Sequence, residues 1–439
     1  MEADELLAIA RTAGAEDPVC AACTGRLVAD RSFGLENAER GTALRIAVDL
    51  LADEPHDPPV AAECWVCEGH SAAVDEWAER AVEVLAGVEF TTYQVGCRVP
   101  PLLEENDRLL RELCGLEPDA GEPLKAELNR EVGKRVGAAT DTTVDFDRPD
   151  VVVLLHLERG TVEREINPAF VYGRYRKLER DIPQTEWPCT ECGATGKQLG
   201  SDGEEPCAGC GGSGYRYDRS VEGLTAPHVV TAMDGEDGIF HGAGREDVDA
   251  RMVGTGRPFV IEVKEPRVRT PNLDALEDTI NEAADGAAEV TELRFATHEM
   301  VERVKELPAS KTYEIDVCFE PAVSAEELES ALAELVGTTV QQETPNRVAH
   351  RRADLTRERT VYDAAVIERT ADRARLRIHG EGGLYIKELA HGDEGRTRPS
   401  LAGMLDVEVT VASLDVVAVE GEDEPFAMDR YLTAVAPDA

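Results

Sequence analysis

The chain has 439 residues, and 42% of them are hydrophobic, which is enough for packed cores and argues against global disorder. It carries 88 acidic and 46 basic residues, for a net charge of −42. No run of about 18 apolar residues occurs and the amino terminus is acidic, so the sequence predicts neither a membrane span nor a signal peptide.

The excess of acid is spread along the whole chain rather than gathered in a tail. This pattern favours a protein kept soluble in a very salty cytoplasm, where salt screens the repulsion between its own charges. An acidic protein that binds basic partners is the alternative. Because the overall charge then reflects the medium, a nucleic-acid partner must be judged from local basic segments.

Residues 1–71 are predicted to form a helical region that holds two C-x2-C pairs. Apolar residues recur at helical spacing in ADELLAIARTAGA and in LENAERGTALRIAVDLLADE. One pair is Cys20 and Cys23, and the other is Cys64 and Cys67. The pairs are far apart in sequence, so a helical excursion must bring them together. We predict that they form one shared four-cysteine zinc site.

Residues 72–168 alternate between helical and strand patterns. Residues 72–87 have apolar side chains at helical spacing, and TTYQVGCRVP is typical of a strand. Two helical segments follow, and DVVVLLHLERGTVEREI then predicts a buried strand, a turn and a second strand. The region is therefore predicted to be a compact α+β unit.

Residues 188–212 interrupt this order with a segment dominated by glycine and cysteine. Cys189 and Cys192 form one C-x2-C pair, and Cys207 and Cys210 form another, at a spacing close to that of a zinc ribbon. Four thiolates leave no open position on the metal, so we predict a structural zinc site. A flexible loop with idle thiols is the alternative. The segment also fits the repeat of a zinc-containing chaperone family, but the other repeats of that family are absent.

The remainder of the chain is predicted to be a second α+β region, at residues 169–439 with the ribbon as an insertion. Strand patterns include PFVIEVK, TYEIDVCFE, TVYDAAVIE, RARLRIHG and VEVTVASLDVVAVEG. Helical patterns include LDALEDTINEAADG and SAEELESALAELVG. Several strands are long and alternate between apolar and polar residues, which favours a mixed or antiparallel sheet.

The stretch HGAGREDVDARMVGTGRPFV, residues 241–260, raises the question of a phosphate-binding loop. A dinucleotide loop needs a third glycine after Gly244 that is absent here, and a P-loop needs a lysine where Arg257 stands. What remains is a group of carboxylates among arginines, which favours an ionised nucleophile or general base. A surface cluster of salt bridges is the alternative.

The same stretch resembles the catalytic motif of the archaeal and eukaryotic tRNA pseudouridine synthases that act at positions 54 and 55 of the T-loop. Four further segments resemble that family in the same order, and CAACTGR resembles its zinc-bearing accessory region. The four segments are YGRYRKLERDIPQTEW, SKTYEIDV, TPNRVAHRRADLTRERTVYD and GGLYIKELAHGDEGRTRPSL. The resemblance implies a multidomain α+β protein with a synthase catalytic domain. It also implies a THUMP-containing, RNA-binding accessory domain at residues 72–168.

The family's motifs place individual roles on this sequence. They imply that Asp247 is the nucleophile and that no cofactor is used, with Asp249 as the competing aspartate. A strand would point both carboxylates to one face. The resemblance implies a substrate-binding role for a further six residues: Arg245, Tyr313, Tyr385, Ile386, Lys387 and Leu414. Two of these, Tyr385 and Lys387, would share one strand face with Ile386 opposite, so contact of Ile386 with the base requires a turn or a helix start.

Residues 345–400 are the local basic segment that an RNA partner requires. They hold twelve Arg or Lys against nine Asp or Glu, a net charge of +3 within a chain of −42. The candidates are a close group, Arg347, Arg351, Arg352, Arg357 and Arg359, together with Arg396 and Arg398. We predict that several contact phosphates, whereas a solvated face is the alternative.

Three functions compete for this sequence. The first is a stand-alone tRNA pseudouridine synthase that binds the T-arm without a protein partner. The second is a non-catalytic RNA-binding protein on the same scaffold. The third is a metal-dependent nuclease that uses Asp247 and Asp249, but further clustered acids are needed for it and none stands out. The sequence favours the first.

Overall fold

A computed structural model describes residues 2–15, 18–200, 203–345 and 355–433. The chain divides into two compact units, residues 1–167 and residues 168–439. Each unit combines helices with a sheet, which confirms the predicted α+β multidomain class. Within the described part of the chain, no helix is both long and apolar enough to cross a bilayer.

The first unit begins with helices and continues with a small sheet. Its helices are α1 (Ala3–Ala13), α2 (Ala21–Arg26), α3 (Asn37–Ala52), α4 (Val74–Leu85), α5 (Pro101–Leu113) and α6 (Leu124–Thr140). Its strands are β1 (Thr92–Arg98), β2 (Thr143–Val144), β3 (Val151–His156) and β4 (Thr161–Ile166), in the order β2-β1-β3-β4. Strand β3 is parallel to β1 and antiparallel to β4, so the predicted strand–turn–strand hairpin is confirmed.

One hydrophobic core runs through the first unit, from α1 to the sheet, and it includes the four cysteines of residues 1–71. Helices α2 and α3 approach so closely that a Cβ on Gly25 would lie 1.8 Å from the Asn37 carbonyl oxygen. A Cβ on Gly41 would lie 1.8 Å from the carbonyl oxygen of Ala21. The predicted division at residue 71 therefore lies within one packed unit and stays a prediction about domains.

A buried ion cluster joins the same helices to the rest of the first unit. The Arg26 guanidinium is fully buried and lies 2.7 Å from an Asp107 oxygen and 3.0 Å from a Glu127 oxygen. A buried charge is tolerated only when it is paired. The cluster therefore fixes α2 against α5 and α6.

The second unit holds the remaining helices. They are α7 (Val221–Ala232), α8 (Leu273–Ala283), α9 (Glu299–Glu306), α10 (Ala325–Leu335), α11 (Ile386–His391) and α12 (Leu401–Leu405). The two helices predicted from LDALEDTINEAADG and SAEELESALAELVG are α8 and α10. Their N-caps are Asn272 and Ser324, whose side chains accept backbone N–H bonds.

Twelve strands occur among the described residues of the second unit. They are β5 (Ala169–Lys177), β6 (Lys197–Gly200), β7 (Gly203–Pro206), β8 (Asp237–Gly242), β9 (Arg251–Lys264), β10 (Ala288–Ala296), β11 (Ala309–Glu320), β12 (Thr339–Glu343), β13 (Thr356–Arg369), β14 (Arg373–Glu381), β15 (Thr397–Arg398) and β16 (Glu408–Gly421). All except β6 and β7 join one mixed sheet, in the order β10-β5-β9-β16-β11-β14-β13-β12-β15, with β8 also on β9. The predicted mixed sheet is confirmed.

The middle of this sheet positions the site described below. Strand β16 lies between β9 and β11, antiparallel to β11 and parallel to β9 over Asp415–Arg251 and Val416–Met252. An ion pair of 2.6 Å between Arg251 and Asp415 reinforces the short parallel contact. The loop that follows β8, the strand β11 and the strand β16 are therefore brought together.

Candidate active site

A cavity of about 770 Å³ opens at the centre of the large sheet. All seven residues predicted for the reaction and its substrate line it: Arg245, Asp247, Tyr313, Tyr385, Ile386, Lys387 and Leu414. They come from the loop after β8, from β11, from the start of α11 and from β16. The volume is in the range of small-ligand sites.

The two candidate aspartates lie in a loop between β8 and β9, at residues 243–250. These residues therefore do not form the strand that would point both carboxylates to one face, and Gly244 in this loop adopts a positive φ of 73°. Both carboxylates nevertheless face Lys387. Its Nζ lies 3.5 Å from Asp247 Oδ2 and 2.8 Å from Asp249 Oδ2. The Asp247 side chain is 35% exposed and that of Asp249 is 61% exposed, so Asp247 lies deeper.

Beneath the loop lies a buried ionic cluster that holds its backbone. The Glu246 carboxylate is fully buried, 3.0 Å from Arg257 Nε and 3.8 Å from Lys177 Nζ. It also accepts a hydrogen bond of 2.8 Å from the Tyr175 hydroxyl. Burial and the nearby negative charge of Glu246 raise the pKa of Tyr175 well above its usual value, so this hydroxyl stays a donor.

Lys177 connects this cluster to the loop of residues 243–250. Its ammonium donates to the carbonyl oxygens of Ile182 at 2.7 Å and of Asp247 and Val248 at 3.1 Å each. Burial lowers the pKa of Lys177, while the charge of Glu246 works in the opposite direction. Arg257 donates to the Ala243 carbonyl at 2.7 Å. The loop is thus held at Ala243 and at Asp247 and Val248 by two buried cations, whose combined charge Glu246 balances in part.

Tyr313 and the apolar side chains form the opposite wall. Tyr313 is 8% exposed, and it pairs with Val416 across β11 and β16. Burial raises the pKa of Tyr313 to about 12, the charge of Arg257 opposes the shift, and the charge of Asp247 adds to it. This hydroxyl is therefore protonated at neutral pH and its ring stands near the Asp247 carboxylate. Leu414 and Ile386 are also buried beside the cavity.

The start of α11 explains how three consecutive residues reach one cavity. Tyr385 is the N-cap residue and Ile386 and Lys387 open the helix, so the turn or helix start that Ile386 requires is present. The buried Gln342 accepts from the Tyr385 N–H at 2.8 Å and donates to its carbonyl at 2.9 Å. The sequence did not predict a role for Gln342, because a glutamine in a polar strand gives no indication of which backbone groups it will bind.

Some arginines of the basic segment, residues 345–400, lie at the cavity. Arg357 and Arg359 line the cavity, and Arg359 also forms an ion pair of 3.2 Å with Glu381. Arg396 pairs with Asp393 and Arg398 donates to the Gly395 carbonyl, and neither lines the cavity. Arg347, Arg351 and Arg352 lie outside the described residues.

The net charge of the cavity lining is opposite in sign to that of the whole chain. Six lining residues are cationic, Arg245, Arg257, Lys311, Arg357, Arg359 and Lys387, whereas four are acidic, Asp181, Glu246, Asp247 and Asp249. The difference is +2 in a chain of −42. Such a local reversal suits a polyanionic ligand.

Comparison with known proteins identifies the family. The family model described as "Pus10, C-terminal" matches residues 170–420, and that described as "Pus10 THUMP domain, archaeal" matches residues 77–156. A protein of Halorubrum lacusprofundi named tRNA pseudouridine synthase Pus10 is 60% identical over 427 residues, covering 97% of this chain and 99% of the relative. Proteins with the same name from Methanothrix thermoacetophila and Methanopyrus kandleri are 42% and 38% identical. They match 92% and 91% of this chain and 92% and 94% of their own lengths.

The chain belongs to the Pus10 family of tRNA pseudouridine synthases.

The Pus10 C-terminal match covers nearly the whole second unit that is described, including the cavity. The Pus10 THUMP match falls inside the first unit, from within α4 to the end of β3. The resemblance of the second unit to the synthase domain and that of residues 72–168 to a THUMP domain are therefore both confirmed as family membership.

Eight of the eleven cysteines form two compact groups. In the first, Cys20, Cys23, Cys64 and Cys67 are all buried, and the Sγ–Sγ distances of Cys20–Cys67 and Cys23–Cys64 are 3.7 Å and 3.6 Å. Zinc bound tetrahedrally by thiolates at about 2.3 Å requires sulfur separations of about 3.8 Å. The backbone N–H of Cys20 also donates to Cys64 Sγ at 3.2 Å, as expected for a thiolate ligand.

The second group lies at the ends of the hairpin β6–β7. It comprises Cys189, Cys192, Cys207 and Cys210, with Sγ–Sγ distances of 4.0 Å for Cys189–Cys207 and 3.8 Å for Cys192–Cys210. The Gly214 N–H donates to Cys210 Sγ at 3.2 Å. Both groups could hold a metal ion with the dimensions of a four-thiolate zinc site.

Proposed function

We propose that this protein isomerises uridine to pseudouridine at positions 54 and 55 of the tRNA T-loop, with Asp247 as the nucleophile. In this reaction the Asp247 carboxylate displaces the uracil from C1′ as the bond between N1 and C1′ breaks. The uracil turns, and C5 then bonds to C1′ as the bond to the carboxylate breaks. The C5 proton is lost and N1 gains a proton, so atoms balance and no cofactor is consumed. The observation that carries the proposal is the convergence of seven predicted residues on one cavity.

The geometry supports Asp247 over Asp249. Asp247 is the less exposed of the two carboxylates, and its charge acts on the buried ring of Tyr313. Its backbone carbonyl accepts from the buried Lys177. Lys387 lies near both aspartates and would keep the nucleophile ionised. Tyr313 would stack on the uracil after the base leaves its own stack, with Ile386 and Leu414 packed against it.

The remaining lining residues would hold the RNA. Tyr385 lies at the start of α11 beside Lys387, and Arg245, Arg357 and Arg359 would contact phosphates around the flipped nucleotide. The THUMP region at residues 72–168 would bind another part of the tRNA. Both four-cysteine groups would hold structural zinc that takes no part in the isomerisation.

The test is a T-loop tRNA transcript incubated with the protein and mapped with carbodiimide. We expect pseudouridine at positions 54 and 55 with the wild type and none with Asp247→Asn. Asp249→Asn is the matched control, and it should retain activity. Transcripts with cytidine at 54 or at 55 assign the two positions.

Two outcomes contradict the proposal. If the folded wild-type protein binds tRNA but forms no pseudouridine, the result supports the alternative function, that of a non-catalytic RNA-binding protein. Loss of activity in Asp249→Asn together with retained activity in Asp247→Asn would transfer the nucleophile to Asp249.

A further inference from the structure

Four side chains form an aromatic–arginine cluster: Trp187, Arg216, Tyr217 and Arg245. The rings of Trp187 and Tyr217 meet edge to face, with centroids 5.4 Å apart. The Arg216 guanidinium lies 5.5 Å from the Trp187 ring centroid and 5.6 Å from that of Tyr217. The Arg245 guanidinium lies 5.1 Å from the Trp187 centroid.

The cluster is built on the base of the ribbon of residues 188–212. Pro188 and Tyr215 form an antiparallel bridge, and the Arg216 N–H donates to the Trp187 carbonyl at 2.8 Å. The Cys189 N–H donates to the Gly214 carbonyl at 2.8 Å. The chain therefore enters and leaves the ribbon at one place, and the paired backbone fixes Trp187 and Tyr217 beside each other.

The cluster also reaches the active-site cavity. Trp187, Tyr217 and Arg245 are lining residues, on the side of the cavity that holds Gly244 and Asp181. Trp187 and Tyr217 are only half-buried and Arg245 and Arg216 are exposed, so a ligand can reach the rings and the guanidiniums. A tryptophan kept at the mouth of a polar cavity is not explained by core packing.

Arg216 differs from most arginines of this chain in its lack of an acidic neighbour among the described residues. No carboxylate within the described ranges lies at ion-pair distance from Arg216, although the chain has 88 acidic residues. Its neighbour Arg219, by contrast, pairs with Glu179 at 2.6 Å. An exposed guanidinium over aromatic rings, with no acidic partner, suits a ligand that has both a flat ring and a phosphate.

We propose that the aromatic–arginine cluster binds the nucleotide next to the target uridine. The base of that nucleotide stacks on the Trp187 and Tyr217 rings, and its phosphate lies on the Arg216 and Arg245 guanidiniums. The inference rests on the proposed function, because it takes the ligand of the cavity to be tRNA. It assigns a substrate-positioning role to the ribbon, whose base carries both rings.

The test measures binding and turnover separately. Binding is followed by tryptophan fluorescence with a T-arm stem-loop RNA, in the Asp247→Ala background so that no turnover occurs. We expect RNA to quench the emission, and Trp187→Phe to remove the quenching while it retains affinity, since phenylalanine also stacks. This substitution assigns the signal, because Trp65 and Trp77 remain in every variant.

Turnover is measured with an otherwise unsubstituted enzyme. Trp187→Ala and Arg216→Ala should each weaken tRNA binding and raise KM by roughly 10-fold, the scale of one lost stacking or phosphate contact, with kcat nearly unchanged. Arg219→Ala is the matched control, since it removes an arginine of the same segment that already has an acidic partner. It should leave KM unchanged.

Unchanged affinity and KM in Trp187→Ala and Arg216→Ala would overturn the inference and leave the cluster as packing for the ribbon. The proposed function survives that result, because the wild type still forms pseudouridine. It fails instead if the wild type forms none, whatever the fluorescence shows. Should Trp187→Ala not fold, the exposed Arg216→Ala decides the matter alone.

Discussion

Glu246 is the residue on which the loop of residues 243–250 depends, although it does not reach the reacting atoms in the proposed reaction. Its carboxylate is the anion that lies beside both Arg257 and Lys177 in a buried cluster. Those two cations hold the carbonyls of Ala243, Asp247 and Val248. Replacing one charge of such a cluster leaves the others buried and uncompensated.

We expect Glu246→Gln to lower the free energy of unfolding by about 3 to 5 kcal/mol, because the shape is kept and only the charge is lost. Chemical denaturation measures this. Glu262→Gln on β9 is the control, since its partners His241 and Lys264 are partly exposed, and it should cost about 1 kcal/mol or less. Equal effects of the two substitutions would contradict the role of the buried cluster.

Tyr313 gives a prediction about alkaline pH. Its pKa is raised from 10.0 to about 12 in the folded protein, chiefly by burial. A raised folded pKa contributes stability that is complete below pH 10 and is lost as the pH rises from about 10 through about 12. Relative to Tyr313→Phe, the wild type should lose about 2 to 3 kcal/mol over this interval. Parallel pH profiles for the two proteins would show that the ring is solvated.

The sequence predicts the residues that line the cavity better than those that support them. Asp247, Tyr313 and Lys387 follow from the resemblance because they stand in long motifs. Lys177 and Gln342 act through backbone carbonyls and amides that belong to distant segments, so no local pattern marks them. Trp187 and Tyr217 stand on either side of the ribbon and become neighbours only when it folds.

At the scale of elements, the glycine contacts between α2 and α3 determine how the first unit packs. Gly41→Ala should lower the free energy of unfolding by about 3 kcal/mol or more, because its methyl group would overlap the Ala21 carbonyl and separate the helices. Thermal and chemical denaturation measure the change.

The matched control for that substitution is Gly133→Ala in α6. A Cβ there would meet only Val95, at an ordinary contact distance of 4.0 Å. We expect a gain of about 0.5 to 1 kcal/mol from the better helix propensity of alanine. A destabilised Gly133→Ala together with a neutral Gly41→Ala would contradict the packing described for α2 and α3.

The two cysteine groups predict different responses to the loss of one ligand. Cys64→Ser and Cys192→Ser should each reduce the bound zinc from two equivalents to one, as measured by elemental analysis of the purified protein. Cys64→Ser should lower the melting temperature more, because Cys64 lies in the core of the first unit whereas Cys192 is half-buried in the ribbon. Two equivalents in either variant would contradict four-thiolate coordination.

The order of elements was largely predictable, and the turns between them were not. Alternating and helical patterns placed the strands β11, β13, β14 and β16 and the helices α8 and α10. Spacing alone does not show whether residues 243–250 form a strand that points both aspartates to one face. They form a loop, in which Gly244 adopts a positive φ of 73° that a strand does not allow.

For the whole molecule, the net charge of −42 governs stability in salt. The Debye length falls from about 8 Å at physiological ionic strength to about 3 Å at 1 M, so repulsion between exposed acids is removed. We expect the melting temperature to rise between about 0.2 M and about 3 M KCl. A triple substitution of exposed acids on α10, Glu326, Glu329 and Glu334 to Gln, should raise it at low salt and reduce the increase. A fall in melting temperature with added KCl would contradict this account.

The central position of β16 has a consequence for the order in which the protein is made. This strand lies between β9 and β11, yet it is the last strand of the described chain, and it supplies Leu414 and Val416 to the cavity. A nascent chain that has reached residue 400 already contains Asp247, Tyr313 and Lys387. It does not yet contain β16, the strand that joins β9 to β11 in the sheet. Chain elongation itself therefore delays assembly of the cavity, and a ribosome-bound intermediate exposes the edges of β9 and β11 until β16 fills the gap.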